Sequence, residues 1–189
     1  MAFIVVYDAC VLYSAPVRDV LLRIATGGLV RARWTHRILD ECFRSIAANR
    51  PDLPPAALAR TRDLMCAAVP DCLVADFEGL ESAVTLPDDD DRHVVAAAIR
   101  CGAQAIVTYN LTDFPNDTLA KFGIEAKHPD DFVLDAISLR PGAVIQAITQ
   151  QAAALKSPPI SIGELLDILR DRGLEQSVAR LRELFGSAS

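Results

Sequence analysis

The chain has 189 residues, which is enough for one domain with an appendage or for two small domains. Hydrophobic residues make up 51% and charged residues 23%, which predicts a folded core and argues against intrinsic disorder. No apolar run approaches the ~20 residues of a membrane-spanning helix, and the N-terminus lacks the basic leader of a secretory signal, so no membrane association is expected. The five cysteines have no CxxC spacing, which suggests neither a disulfide framework nor a zinc site and favours a reducing cytoplasm.

The net charge of −6 argues against a nucleic-acid partner when it is taken as a whole, but the charges are unevenly distributed. Residues 18–62 carry nine arginines against four acids, a net charge of +5, whereas residues 63–189 carry ten basic and twenty acidic residues. Arginine makes bidentate contacts with phosphate groups. The basic segment is therefore either a phosphate-binding surface or an ordinary solvated helical face, and charge alone does not choose between them.

The spacing of apolar residues predicts strands alternating with helices along most of the chain. Strands are predicted at 3–7, 72–75, 104–109 and 123–126, and helices over 16–27, 35–48, 55–68, 92–101 and 129–138. This alternation predicts an α/β fold with a mainly parallel sheet. After Arg140-Pro141-Gly142, helical patterns over 143–155 and 161–185 predict a C-terminal helical extension, and hence two units, 1–140 and 141–189.

Three aspartates are expected at one edge of the sheet. Asp8 ends the first strand, Asp113 lies just beyond the strand at 104–109, and Asp91 opens the helix that precedes that strand. Ligands of open parallel sheets bind outside the carboxyl ends of the strands, so these side chains point toward one cleft. Carboxylates brought together need a compensating cation, and oxygen ligands without cysteine or histidine favour Mg²⁺ or Mn²⁺.

Other charged residues near these positions are open to more than one interpretation. Asp88 is the best N-cap candidate for the helix that begins near Asp91. Asp40 and Glu41 lie on opposite sides of the apolar stripe of the helix at 35–48, and periodicity does not select one of them. The histidines are dispersed without metal-binding spacing. Because His93 follows Asp91 by two residues on a helix, its side chain is expected to point away from that acid.

Taken together, these segments resemble the PIN-domain nucleases. Val6-Tyr7-Asp8-Ala9-Cys10-Val11-Leu12 is similar to the family's opening strand with its first acid, and Ile38-Leu39-Asp40-Glu41 is similar to the helix of the second acid, where the match selects Glu41. Asp91-Arg92-His93-Val94-Val95-Ala96-Ala97-Ala98 is similar to the third motif, and Val107-Thr108-Tyr109-Asn110-Leu111-Thr112-Asp113-Phe114 to the fourth. The resemblance covers residues 3–135 and is strongest to VapC-type toxins with a C-terminal helical extension.

The resemblance implies an α/β/α PIN-like layer and a metal-dependent endoribonuclease that leaves a 5′-phosphate and a 3′-hydroxyl. Asp8, Asp91 and Asp113 would bind Mg²⁺, with Mn²⁺ possible, and Glu41 would complete the catalytic set by orienting the attacking water. Thr108 and Asn110 would support the acids, although Asn110 could equally serve the turn. Arg31, Arg33, Arg37 and Arg44 would guide the RNA. The implied partners are tRNA or rRNA, a cognate antitoxin and a second copy of the chain.

One position departs from the family pattern. Cys10 stands where the family usually has Ser, Thr or Asn, and a thiol is a weak hydrogen-bond donor, which puts full activity in doubt. Two alternatives therefore stay open. The chain could be a weakly active or non-enzymatic RNA- and metal-binding module. It could also be a phosphotransferase with Asp8 as nucleophile, although that chemistry normally has a second acid at the position of Cys10.

Overall fold

A four-stranded parallel sheet forms the centre of the protein. The computed structural model describes residues 3–187. The strands are β1 (Phe3–Tyr7), β2 (Val30–Arg33), β3 (Ala105–Val107) and β4 (Glu125–Lys127), in the order β2-β1-β3-β4. Every neighbouring pair is parallel, and the register sets Tyr7 beside Val107 and Val107 beside Lys127. The carboxyl ends of β1, β3 and β4 therefore meet at one edge.

Ten helices surround the sheet within the described residues. They are α1 (Ala9–Tyr13), α2 (Ala15–Thr26), α3 (His36–Asn49), α4 (Pro55–Ala68), α5 (Arg92–Cys101), α6 (Asn116–Leu119), α7 (Pro129–Leu139), α8 (Pro141–Ala154), α9 (Ile162–Arg170) and α10 (Glu175–Ser187). Short 3₁₀ helices occupy Glu78–Ala83, Asp89–Asp91 and Ala120–Phe122. The α/β fold with a parallel sheet and C-terminal helices that the sequence predicts is confirmed.

The predicted strand at 72–75 is wrong, and a strand that the sequence reading missed lies at Val30–Arg33. Leu73 forms only an isolated parallel bridge with Trp34. Asp71 and Asp76 adopt positive φ angles of 54° and 57° on either side of this bridge, so the backbone turns before a ladder can extend. The segment thus lengthens the β2 edge by one residue pair and forms no strand.

The core lies on both faces of β1 and β3. The side chains of Val5, Val6, Ile106 and Val107 are completely buried, as the β-branched run of a two-sided parallel strand requires. None of the helices described here is long and apolar enough to cross a membrane.

The C-terminal helices are tied to the sheet by polar contacts as well as by packing. Asp130, at the start of α7, is 4% exposed and accepts hydrogen bonds from the backbone amides of Gln176 (2.9 Å) and Ser177 (2.8 Å) at the start of α10. Tyr109, just after β3, donates its hydroxyl hydrogen bond to the carbonyl of Arg172 (2.8 Å). Both contacts fix the α9–α10 turn beside the carboxyl edge of the sheet.

Candidate active site

Asp8 stands at the end of β1 inside a closed hydrogen-bond network. Its carboxylate is 5% exposed and accepts from the amide of Ala9 at Oδ1 (2.6 Å) and from the hydroxyl of Thr108 at Oδ2 (2.8 Å). Thr108 is completely buried and accepts in turn from the amide of Asn110 (3.0 Å). Because Thr108 follows β3 directly, the parallel register brings it to Asp8 across 100 residues of sequence. The network holds the Asp8 carboxylate in one orientation.

Cys10 is part of the same network. Its thiol donates to Asp8 Oδ2 (3.1 Å), lies 3.3 Å from the Thr108 hydroxyl oxygen and accepts from the amide of Tyr109 (3.3 Å). Burial, together with the negative charge of Asp8, raises the pKa of the Cys10 thiol to about 12. A thiol that stays protonated remains a donor to Asp8, so Cys10 fills the polar position that a hydroxyl or amide would occupy.

Asp91 is the most perturbed carboxyl group of the site. It occupies the N-cap position of α5, but its side chain accepts no capping hydrogen bond, whereas Asp88 caps the preceding 3₁₀ helix by accepting from Asp90 (2.9 Å). Burial, together with the negative charges of Asp8, Asp88 and Asp113, raises the pKa of Asp91 to about 6. The charge of Asp113 contributes to the raised pKa of Asp91, so Asp113 belongs to the same electrostatic cluster.

Glu41 faces the aspartates from α3 and is held by two cationic or potentially cationic groups. Arg37 Nε lies 3.4 Å from Glu41 Oε1, one helical turn away. The imidazole of His93, which is completely buried on α5, brings Nε2 to 3.1 Å from the same oxygen. This contact lacks hydrogen-bond alignment, and both ring nitrogens of His93 are without a hydrogen-bond partner among the described residues.

Sequence reasoning missed the contact of His93. The helical offset from Asp91 indicated that the ring points away from that acid, but it could not show that the ring meets Glu41 on a neighbouring helix. Asp40, the alternative to Glu41, is exposed and forms an ion pair with Arg62 on α4. Of the two acids on α3, Glu41 is the one directed toward the aspartates.

A cavity of about 360 Å³ joins these side chains. Its lining includes Asp8, Cys10, Glu41, Asp91 and Asn110. Asp113 is half-buried, and its amide donates to the carbonyl of Asn110 (3.0 Å) in the turn after β3. Three of the predicted acids, Asp8, Glu41 and Asp91, thus share this cavity, whereas Asp113 is not part of its described lining. Asn110 lies at the rim as an exposed turn residue.

The donor set suits a hard divalent cation, although it is not a preformed cage. Within residues 3–187, no three His, Cys, Asp or Glu side chains lie close enough together to hold a metal ion. Burial and the negative charges of Asp8, Asp88 and Asp113 nevertheless disfavour the charged form of Asp91 and raise its pKa, and a cation beside the carboxylates would offset both effects. Oxygen ligands of this kind select Mg²⁺ or Mn²⁺ over zinc.

The four arginines chosen from the sequence lie in different places. Arg37 links Glu41 to Glu81 (3.3 Å) and to the carbonyl of Asp90 (3.4 Å), so it ties α3 to the segment before α5. Arg44 is exposed on α3, one turn after Glu41. Arg31 and Arg33 lie on the edge strand β2, where Arg33 contacts the carbonyl of Pro70 (3.5 Å). Of these four, Arg37 contacts a carboxylate of the site, and Arg44 lies one turn from Glu41 on the same helix.

The matches to known proteins agree on one family. The PIN domain model matches residues 4–112, and the VapC50 C-terminal domain model matches residues 129–183. A protein of Mycobacterium tuberculosis (strain ATCC 25618 / H37Rv) described as "Putative ribonuclease VapC50" is 44% identical over 99 residues, which cover 52% of this chain and 58% of that relative. No solved structure matches the chain. Because the PIN model spans more than half of the residues and includes Asp8, Glu41 and Asp91, the chain belongs to the PIN-domain family.

Proposed function

We propose that the protein is a metal-dependent endoribonuclease and the toxin of a toxin–antitoxin pair. The observation that carries this proposal is the convergence of Asp8, Glu41 and Asp91 in one cavity, with Asp113 near enough for its charge to act on Asp91. Burial and the charges of the neighbouring aspartates raise the pKa of Asp91 to about 6. The family membership and the description of the mycobacterial relative support it.

In this proposal Asp8, Asp91 and Asp113 hold Mg²⁺, with Mn²⁺ as a substitute. When bound, the ion supplies a water of lowered pKa and a positive charge beside the scissile phosphate. Glu41 orients the attacking water and accepts its proton, and His93 and Arg37 keep the Glu41 carboxylate turned toward the cavity. Thr108 and Cys10 hold Asp8 so that its free lone pairs face the same space.

The expected partners follow from the same chemistry. The substrate is a structured RNA such as tRNA or rRNA, which a toxin would meet in the cytoplasm. Arg37 and Arg44 are placed to approach its phosphates beside the carboxylates, and Arg31 and Arg33 would contact RNA farther along the β2 edge. A cognate antitoxin would cover the acidic cavity, and the active form would be a homodimer. We keep residues 1–140 as the nuclease unit and 141–189 as its helical extension.

The direct test is cleavage of total RNA by the purified protein with Mg²⁺, Mn²⁺ or EDTA. We expect cleavage with either ion, none with EDTA, and products with a 5′-phosphate. Glu41→Gln and Asp40→Asn form a matched pair, because both remove one acid from adjacent positions of α3. Glu41→Gln should abolish cleavage and Asp40→Asn should not. If the metal-supplied wild type leaves RNA intact, or if Glu41→Gln cuts as well as Asp40→Asn, the proposal is wrong.

The same preparations address the alternatives. A binding module without catalysis would retain RNA in Mg²⁺ and release it uncut. A phosphotransferase would release phosphate from a simple aryl phosphate and lose this activity in Asp8→Asn. The contacts of the Cys10 thiol with Asp8 and Thr108 favour an active nuclease over a weakly active one, because the thiol takes the place of a polar group in the hydrogen-bond network.

A further inference from the structure

A second cavity adjoins the acidic one and has the opposite charge. Its volume is about 340 Å³, it shares Tyr13 with the acidic cavity, and its described lining contains Arg18, Arg50 and Arg172 but no carboxylate. We call it the arginine cavity. Sequence reasoning placed none of these three arginines at the site, and Arg172 lies outside the basic segment that the sequence singles out.

The arginines are brought to this cavity by specific contacts. Arg18 donates from Nη1 to the carbonyls of Leu12 (2.7 Å) and Tyr13 (3.5 Å), so its guanidinium is fixed across the end of α1. The backbone of Arg172 is held by the hydroxyl of Tyr109 (2.8 Å). Arg50 forms an exposed bidentate ion pair with Asp52 (2.8 and 2.6 Å), which offsets part of its positive charge.

The N-terminus of a helix opens into the same cavity. Ser14, Ala15 and Pro16 begin α2 and are part of the lining. The Ser14 side chain makes no capping hydrogen bond to α2, so the positive end of the helix dipole adds to the field of the arginines. A helix N-terminus and guanidinium groups around one concavity are typical of a site for phosphate oxygens.

We propose that the arginine cavity binds a backbone phosphate of the RNA a few nucleotides from the bond that is cut. The inference rests on the proposed function. Asp8 precedes and Ser14 follows the five residues of α1, so about 9 Å of helix lies between Asp8 in the acidic cavity and Ser14 in the arginine cavity. This length corresponds to a few nucleotides of one strand. Tyr13 stands at the junction, and its ring can cover the RNA between the two phosphates.

An acidic protein segment would also be attracted to three arginines, but the surroundings favour RNA. The cavity shares Tyr13 with the one that would take the scissile phosphate, so a single strand passing Tyr13 can reach both. Arg172 also comes from the C-terminal helices, which gives this extension a role in substrate positioning beside the nuclease unit.

The test measures RNA binding and RNA cleavage separately. Affinity for a labelled 12-nucleotide RNA is measured in EDTA over a range of KCl concentrations for the wild type, Arg172→Ala and Arg50→Ala. Arg140→Ala is the matched control, because Arg140 is an exposed arginine outside both cavities. We expect Arg172→Ala to weaken binding about tenfold and to flatten the plot of log K against log salt by about 0.7. Arg140→Ala should keep the wild-type slope.

Cleavage in Mg²⁺ should show a raised KM for Arg172→Ala with kcat within about twofold of the wild type, since the residue does not touch the reacting atoms. Arg172→Lys should restore most of the salt slope, which separates lost charge from a folding defect. If the wild type binds RNA but does not cut it, the proposed function is refuted, and the salt dependence of binding still tests whether the arginine cavity binds phosphate. If Arg172→Ala and Arg50→Ala keep the wild-type salt slope, the inference is overturned. If these variants with an unchanged slope also lose affinity for a hexaglutamate peptide, the result assigns the cavity to an acidic protein partner.

Discussion

The repulsion among the carboxylates predicts that removing one of them stabilises the protein. In the folded state the pKa of Asp91 is raised from 3.8 to about 6, because burial and the neighbouring aspartates disfavour its charge. Such a shift corresponds to about 3 kcal/mol, and because the side chain is only half-buried, solvent screening reduces the expected cost to about 1 kcal/mol. Asp91→Asn keeps the shape of the side chain and removes this cost.

The assay is thermal unfolding in EDTA, followed by circular dichroism. At pH 7.5 we expect Asp91→Asn to unfold about 3 °C above the wild type, since 1 kcal/mol corresponds to about 2–4 °C in a chain of this size. The folded-state pKa lies above the unfolded-state value, so the cost is absent well below pH 4 and complete above pH 6. At pH 4.5 the difference should fall to about a third of its value at pH 7.5.

The controls separate this local effect from a change in net charge. Asp63→Asn removes an exposed carboxylate on α4 and should leave the melting temperature within about 1 °C of the wild type. Mg²⁺ should raise the melting temperature of the wild type more than that of Asp91→Asn, because the variant has lost a ligand. The reasoning is refuted if Asp91→Asn melts below the wild type in EDTA at pH 7.5, or if its advantage is equal at both pH values.

Three further predictions concern the residues around the carboxylates. His93→Leu removes two buried ring nitrogens that have no hydrogen-bond partner among the described residues, so the melting temperature should stay unchanged. Loss of the contact with Glu41 should lower kcat about tenfold, and an unchanged kcat would show that this contact is irrelevant. Cys10 should react with iodoacetamide far more slowly than a free thiol at pH 8, because its pKa is about 12, and mass spectrometry showing rapid labelling of Cys10 would contradict this. Asp130→Ala should lower the free energy of unfolding by about 3 kcal/mol in urea titrations, since two backbone amides of α10 lose a charged acceptor; a loss below about 0.5 kcal/mol would argue against the anchor.

The sequence predicted the elements whose patterns are local. The buried strands β1 and β3 follow from β-branched runs, and α3 follows from Thr35 as N-cap with an apolar stripe at helical spacing. The strand β2 was missed although Val30 and Ala32 alternate with Arg31 and Arg33, which is the period of a half-exposed strand.

The parts that could not be predicted depend on contacts between distant elements. Periodicity does not choose between Asp40 and Glu41, because the choice depends on the direction in which α3 faces α5; only the family resemblance selects Glu41 from the sequence. The contact of His93 with Glu41 joins the same two helices. The arginine cavity combines α2, the end of α3 and the turn after α9, so its positive charge appears only when the chain is folded.

The buried carboxylate of Asp130 has a consequence for how the chain can be divided. Asp130 lies in the first turn of α7 and accepts hydrogen bonds from two amides at the start of α10. The last helix is therefore capped by a residue that lies 46 positions before Gln176. Cutting the polypeptide near residue 140 would deprive Asp130 of its two amide donors on one fragment and leave an uncapped helix on the other. The C-terminal helices and the sheet are therefore expected to unfold in one cooperative transition, and a graft of the extension onto another nuclease would need this aspartate as well.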